Sequence, residues 1–376
     1  MFLESIDISH FRNLTDVHLE FSQGFNVFYG ANAQGKSNLL EAIYTLAFLK
    51  GFRGDRLPDL IEFEASGTQI STLLNREGAQ TRLSVAIDAK ETRTRHAYVD
   101  GSPCSRARDY LGILRAILFV PMDVSIQQAA PQLRRSWLDK MVFNLKPAYL
   151  IDLEQYQKLI KQKAAVLRCE HPDPALLDVY DEQIMPIAQR IIGARYRYLQ
   201  LLAPHITRVF GRIFDETFDC FPVYKSATRT EDIVFGHEPP APLQAVLDGY
   251  RNHVSSSRHK EMARQQVAAG PHRDDWGFHL NGRQARYYAS QGQQRTMSLA
   301  LKIAEIECLK REANIEPVFL LDDVSSELDP VRHKRLFEYL HEISAQTFLT
   351  TTSRGHVPIE NVARIFHVQN GSITLD

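Results

Sequence analysis

The sequence has only four cysteines, Cys104, Cys169, Cys220 and Cys308, and they lie far apart. There is no CxxC pair and no Cys/His cluster, which argues against a disulfide framework or a zinc site and favours reduced thiols. The first residues lack the basic start and apolar run of a signal peptide. No segment approaches the roughly 18 apolar residues of a membrane span. We therefore expect a cytoplasmic protein with no membrane partner.

The chain also lacks an excess of charge of either sign, since 44 Lys and Arg face 45 Asp and Glu. Composition alone therefore argues neither for nor against nucleic acid, and a DNA-binding surface would have to be a local patch. A length of 376 residues suggests two domains, or one large domain with an insertion.

The pattern of apolar residues changes twice along the chain. Strand patterns and one strand–loop–helix unit fill the first part, long amphipathic helical runs follow, and mixed strand and helix patterns return near the end. The simplest architecture is an α/β domain built from both ends of the chain, residues 1–125 and 270–376, with a helical lobe inserted at 126–269. Pro186 could kink or divide the second helical run.

The segment GANAQGKS fits the phosphate-binding loop G-x-x-x-x-G-K-[ST], between an apolar strand pattern and an amphipathic helix pattern. Backbone N–H groups and a helix N-terminus can hold phosphates there, while the lysine reaches the β- and γ-phosphates and the serine binds Mg²⁺. A chance match is the alternative, and the flanking patterns disfavour it. We expect ATP contacts from Gly30, Ala31, Asn32, Ala33, Gln34, Gly35, Lys36, Ser37 and Asn38.

A second acidic motif, PVFLLDDVSSELD, completes this chemistry. Its apolar strand ends in Asp322, a Mg²⁺ partner with Ser37, and in Asp323, which can polarise the attacking water. With Lys36 these two aspartates form the predicted catalytic set. An acidic loop that merely caps the next helix is the alternative.

The segment SQGQQ opens a long helix pattern just before the acidic motif. A small hydroxyl residue, a glycine and a helix N-terminus together form an anion-binding end. Because the chain already has a phosphate loop, this second end predicts the signature arrangement of ABC ATPases. There Ser290, Gly292 and Gln293 would cap the ATP of the opposite subunit. A well-capped core helix is the other interpretation.

Five segments together, FRNL, GANAQGKSNLLEAIY, AGPHRDDW, SQGQQRTMSLALKIAE and LLDDVSSELDPVRHKRL, resemble the RecF family over residues 2–355. These are bacterial recombination-mediator ATPases related to the heads of structural-maintenance-of-chromosomes proteins. The resemblance implies an ABC-type ATPase head, with Arg12 near the nucleotide. It also implies that residues 326–329 meet the partner subunit, and that Thr351 or Thr352 replaces the switch histidine of transporter ATPases.

The same resemblance implies a role in DNA repair, replication, recombination and the SOS response. The protein would load a recombinase at single-strand gaps with RecO- and RecR-like partners. We expect ATP-dependent homodimers that embrace DNA and reopen on slow, DNA-stimulated hydrolysis. The sequence departs from the family at residues 121–135, where Met122 replaces a Glu and a Lys-Gly stretch is missing.

Two further expectations concern the insertion and its C-terminal border. The candidate contacts to DNA phosphates are Arg134, Arg135, Lys158, Lys161, Lys163, Arg195 and Arg197, although charge runs more often form a solvated helix face. The triplet His272-Arg273-Asp274 is similar to a kinase catalytic loop, but no DFG follows, and we expect it to support the nucleotide-facing sheet.

Other ATPase classes fit less well. A long-armed chromosome-structuring ATPase needs extended heptads, which are missing. A transporter ATPase subunit is opposed by the insertion and by the missing switch histidine. A structural DNA clamp that binds ATP with negligible turnover stays open, because Asp323 stands where transporters have Glu.

Overall fold

The structure is a computed structural model that describes residues 1–54, 56–89, 95–121, 123, 126–213, 217, 219–323, 330–343, 345–356 and 364–376. Its strands are β1 Phe2–Phe11, β2 Leu14–Glu20, β3 Phe25–Tyr29, β4 Gly67–Arg76, β5 Ala79–Asp88, β6 Arg95–Val99, β7 Ser102–Pro103, β8 Ala116–Phe119, β9 Cys220–Lys225, β10 Ile233–Val234, β11 Asp275–Leu280, β12 Arg283–Gln284, β13 Val318–Leu321, β14 Thr347–Thr351, β15 Arg364–Gln369 and β16 Ser372–Leu375. Its helices are α1 Lys36–Phe48, α2 Ala107–Tyr110, α3 Pro131–Leu145, α4 Tyr149–Leu167, α5 Pro174–Ile213, α6 Leu243–Arg264, α7 Ala285–Tyr288, α8 Gln291–Ala313 and α9 Pro330–Glu342.

The chain forms two units, of which the first combines Met1–Val124 with Ser298–Asp376. It contains an antiparallel sheet in the order β2-β1-β4-β5-β6-β7 and a second sheet in the order β16-β15-β3-β14-β13-β8. In the second sheet all neighbours are parallel except the β15–β16 hairpin. The predicted α/β architecture from both ends of the chain is therefore confirmed.

The parallel strands at the centre of the second sheet position the chemistry. β3 and β13 are largely apolar, β14 carries three threonines, and all three strands are almost wholly buried, as expected for strands covered on both faces. Each fully buried Phe or Leu contributes about 1.5–3 kcal/mol. Because parallel strands end at the same edge, the loop after β3, Asp322 after β13 and Thr350 in β14 come together there.

The second unit, Ser125–Met297, contains the helical hairpin of α4 and α5 and a four-stranded sheet in the order β10-β9-β11-β12. Pro186 does not divide α5, which runs through it for 40 residues. The division at 297/298 differs from the expected boundary at 269/270, because β11 pairs with β9 along six residues. The expectation that His272–Asp274 supports the nucleotide-facing sheet is wrong for the same reason.

None of the helices within the described part of the chain is both long enough and apolar enough to span a membrane.

Candidate nucleotide-binding site

The loop between β3 and α1 depends on glycine at both ends. Gly30 has φ +156°, and a Cβ there would lie 2.2 Å from the carbonyl oxygen of Val368 on β15. Gly35 has φ +114°, and its Cβ would lie 2.9 Å from the Oδ1 of Asn13. Larger residues would displace the loop, so this sequence requires glycine at both positions to wrap backbone N–H groups around a phosphate.

The Lys36 ammonium is fixed inside the loop. Its Nζ donates hydrogen bonds of 2.7 Å to the carbonyl oxygens of Gly30 and of Ala31. The side chain is only 7% exposed. Burial lowers the pKa of Lys36, and the nearby carboxylates of Asp323 and Asp322 partly oppose this shift. The charged end therefore lies at the loop where phosphates would bind.

Asp322 lies at the point where three segments meet. Its Oδ1 accepts hydrogen bonds from the Ser37 hydroxyl at 2.7 Å and from the Thr350 hydroxyl at 2.6 Å. The Thr350 hydroxyl in turn accepts from the backbone N–H of Asp323 at 3.1 Å. Ser37 and Asp322 thus present hard oxygen donors side by side, which is the ligand type that Mg²⁺ prefers, and these residues fit the ion.

Thr350 is a site residue that sequence reasoning missed. The sequence pointed instead to Thr351 or Thr352 as the replacement for the switch histidine. Thr351 is buried and donates to the Ser353 carbonyl, while Thr352 is exposed. The parallel pairing of β13 with β14 places Thr350 beside Asp322. The signal available in the sequence was the run of threonines at the end of a buried strand.

Arg12 lies at the rim of the loop, next to the first helix. Its Nε donates to the Oε2 of Glu41 on α1 at 2.9 Å. The guanidinium of Arg53 donates to the Oδ1 of Asn38 at 2.6 Å, and Asn38 donates to the Oδ1 of Asn13 at 2.7 Å. These hydrogen bonds join the β1–β2 turn and the loop after α1 to the first turns of α1. Neither Glu41 nor Arg53 was predicted to take part in them.

The β15–β16 hairpin supports the phosphate loop from the other side. The side-chain oxygen of Gln34 accepts a hydrogen bond from the backbone N–H of Asn370 at 2.7 Å. The backbone carbonyl of Gln34 accepts one from the backbone N–H of Gly371 at 2.9 Å. Asn32 and Ala33 lie on the exposed tip, where Ala33 has φ +63°. The hairpin was not recognised from the sequence.

The signature helix end lies in the second unit, and it forms a reciprocal cap. The Ser290 hydroxyl accepts from the backbone N–H of Gln293 at 3.2 Å, and the Gln293 side chain accepts from the N–H of Ser290 at 2.8 Å. This is a capping box with Gln at the third helical position. Ser290 and Gly292 are exposed, and a Cβ at Gly292 would meet nothing within 4 Å.

Three of the seven basic residues suggested as DNA contacts are buried inside the second unit, and for these the prediction is wrong. Arg134 and Arg195 are 2% and 3% exposed and pair with Asp275 and Asp139. A buried cation with a carboxylate partner cannot reach a phosphate without breaking its pair. The third is Lys163, which bonds Asp181 and Glu261.

Of the remaining candidates, Arg135 is half-buried and donates to the Asp274 carbonyl, while Lys158, Lys161 and Arg197 are exposed. Two predicted features lie outside the described residues: the Met122 position and the 326–329 loop.

Comparisons with known proteins identify the family of this chain. The family model for the RecF/RecN/SMC N terminal domain matches residues 2–374. The DNA replication and repair protein RecF of Streptococcus suis (strain 05ZYH33) is 35% identical over 376 residues, covering 100% of this chain and 99% of that protein. A solved structure of the recombination mediator protein RecF with ATPrS, in the RecFOR pathway, superposes with a TM-score of 0.86 at 30% identity, covering 100% and 98% of the chains. A Smc head domain derived from Pyrococcus furiosus shares the fold alone, with a TM-score of 0.59 at 16% identity, covering 100% and 96%.

Proposed function

The chain belongs to the RecF family of DNA replication and repair proteins, and on that premise we propose that it is an ATP-gated dimeric clamp that acts at single-strand gaps in DNA. The observation that carries this proposal is the meeting of the phosphate loop with Asp322. The Ser37 hydroxyl and the Asp322 carboxylate touch at 2.7 Å beside the loop that fixes the Lys36 ammonium.

Different residues of the first unit bind the phosphates of ATP and the Mg²⁺ ion. The loop N–H groups and Lys36 hold the phosphates, while Ser37 and Asp322 hold the ion. Bound Mg²⁺·ATP supplies the cleavable phosphoanhydride and neutralises part of its charge. Phosphate oxygens would replace the Gly30 and Ala31 carbonyls as the partners of Lys36. Asp323, held through its N–H by Thr350, polarises the attacking water.

The second half of each ATP site would come from the other copy of the chain. In the capping box the Ser290 hydroxyl accepts a hydrogen bond from Gln293, so its own proton stays available to donate to a phosphate oxygen. Gly292 leaves the helix end open for close approach. The helix dipole adds to the attraction of a negative group. ATP would therefore join two subunits, and hydrolysis would release them.

We propose DNA binding and the partner proteins on the basis of the family. The solved RecF structures are described for the RecFOR pathway, and we extend RecO- and RecR-like partners to this chain as part of the proposal. Among the predicted contacts, Lys158, Lys161 and Arg197 are exposed on the second unit and fit phosphate contacts.

A second candidate is a structural clamp that binds ATP but barely hydrolyses it. The observation behind it is Asp323, whose carboxylate is one methylene shorter than glutamate and whose backbone has φ +43°. A turnover assay with and without gapped DNA separates the two, since a slow ATPase should be stimulated by DNA and the structural clamp should show no turnover above background.

The test of the clamp is light scattering of the purified protein without nucleotide, with ADP and with a non-hydrolysable ATP analogue, each with and without gapped duplex DNA. We expect the mass to double only with the analogue, and the dimer to retain DNA. The variant Ser290→Arg should bind the analogue as a monomer and fail to dimerise. A wild-type protein that stays monomeric in every condition, or a Ser290→Arg protein that still dimerises, would refute the shared-site proposal.

A further inference from the structure

Glu41 is a fully buried carboxylate on the helix that follows the phosphate loop. Its side chain is 0% exposed. A buried charge without partners is costly, and one that persists is paired and hydrogen-bonded. In this site Glu41 is surrounded by donors from two separate segments, the β1–β2 turn and the loop after α1.

The two oxygens of this carboxylate have different partners. Oε1 accepts from the backbone N–H groups of Phe52 and Arg53, at 3.2 and 3.1 Å. Oε2 accepts from the Nε of Arg12 at 2.9 Å and lies 4.0 Å from the guanidinium of Arg53. One oxygen thus fixes a loop, and the other orients a guanidinium.

The backbone at Arg12 is held in an uncommon conformation. Its φ is +55°, in the left-handed region, which is strained for a residue with a long side chain. The Arg12 N–H donates to the Leu60 carbonyl at 2.9 Å, and the neighbouring Phe11 bridges to Ile61. Such strain persists where the surroundings impose it, and here it directs the side chain towards α1.

We propose that Glu41 is a positioning residue that orients Arg12, and the backbone that carries Arg53, towards the phosphates of the bound nucleotide. The proposal rests on the nucleotide site proposed above. The Arg12 side chain is 24% exposed and the Arg53 side chain 41% exposed. Both guanidiniums can therefore contact a ligand while they lie beside the Glu41 carboxylate. A guanidinium is suited to this task because its planar fork matches phosphate oxygens.

The substitution Glu41→Gln separates the two roles. The amide oxygen replaces Oε1, because the opposite orientation would set an NH₂ group against two backbone N–H donors. The amide NH₂ then faces the Nε–H of Arg12, donor against donor, and the guanidinium loses its partner. The control is Glu62→Gln on the segment between α1 and β4, where the carboxylate bonds His10 and Thr15 on either side of the β1–β2 turn.

The experiment measures the affinity of the full-length protein for a fluorescent ATP analogue, together with thermal unfolding without nucleotide. We expect Glu41→Gln to stay folded at the temperature of the binding assay, although the lost hydrogen bond lowers its melting temperature. It should bind the analogue about tenfold to a hundredfold more weakly, the factor that a hydrogen bond to a charged group contributes. Glu62→Gln should bind normally. In an Arg12→Ala background Glu41→Gln should add less than about twofold, because coupled residues are not additive.

The inference is overturned if Glu41→Gln binds normally, or if its defect persists in full in the Arg12→Ala background, which would indicate a structural role only. It also fails if Arg12→Ala binds normally while Lys36→Ala does not, and the proposed ATP site then stands without it. If neither Arg12→Ala nor Lys36→Ala alters binding, the proposed function itself fails.

Discussion

Replacing Gln293 with Glu should make the free protein slightly more stable and the ATP-bound dimer much weaker. Glutamate at the third helical position keeps the capping box, since its carboxylate can accept from the Ser290 N–H as Gln293 does at 2.8 Å. A negative charge in the first turn also complements the helix dipole and contributes about 0.3–1 kcal/mol. The nucleotide-free protein should therefore lose no stability.

The same charge acts in the opposite direction once a partner's ATP lies at this helix end. At ~6 Å and an effective dielectric constant of ~20, repulsion between two unit charges is about 3 kcal/mol. This corresponds to a factor on the order of a hundred in the closure of each site. Two sites close together in one dimer, so the variant should remain monomeric at protein concentrations where the wild type dimerises.

Two measurements decide this prediction. Chemical denaturation gives the stability of the nucleotide-free protein, and light scattering with the ATP analogue gives the dimer. The control Gln293→Ala removes the box without adding charge, and it should cost about 0.5–1 kcal/mol of stability with a smaller loss of dimer. If Gln293→Glu dimerises like the wild type, the helix end does not face a phosphate and the shared-site reasoning is wrong.

Two other perturbations test the described contacts. Thr350→Val removes the hydroxyl that donates to Asp322 and accepts from the Asp323 N–H, and urea denaturation without nucleotide should show a loss of about 1–3 kcal/mol. A stability equal to that of the wild type would contradict the bonding described. Burial, followed by the cations of Arg273 and Arg135, lowers the pKa of His272 to about 4. Between about pH 6.5 and 4 the unfolded chain therefore binds a proton that the folded chain does not. The free energy of unfolding should decrease as the pH is lowered through this range, by up to about 2 kcal/mol at about pH 5. This loss should be absent in His272→Asn, and an equal loss in that variant would assign it elsewhere.

Local patterns sufficed for the elements that carry the chemistry. Long amphipathic helical runs were predicted for the inserted lobe, and the structure forms them as α4 and α5. The phosphate loop, the buried strand before Asp322 and the long helix after Ser290 also lie where the sequence indicated. Each has a strong periodicity or a motif with a fixed backbone geometry, and these are properties that neighbouring residues determine.

The parts that were missed depend on pairing between distant segments. Thr350 and Glu41 are ordinary strand and helix residues by pattern, and only the sheet order or a loop contact gives them a role. The basic residues show the same limit. By pattern, Lys163 is one more charge on a solvated helix face. In the structure it is buried against Asp181 and Glu261, which lie 18 and 98 positions further along the chain.

The position of β3 has a consequence for the order in which this protein becomes functional during synthesis. The strand that leads into the phosphate loop has β14 on one side and β15 on the other, and both leave the ribosome more than 300 residues after it. The loop itself is bonded to Asn370 and Gly371. A nascent chain therefore carries its phosphate loop long before it carries Asp322 and the strands that complete the proposed ATP site, and contacts of such long sequence separation form slowly. In the proposed clamp, nucleotide binding would therefore distinguish finished subunits from unfinished ones, because an interrupted chain lacks the strands beside β3.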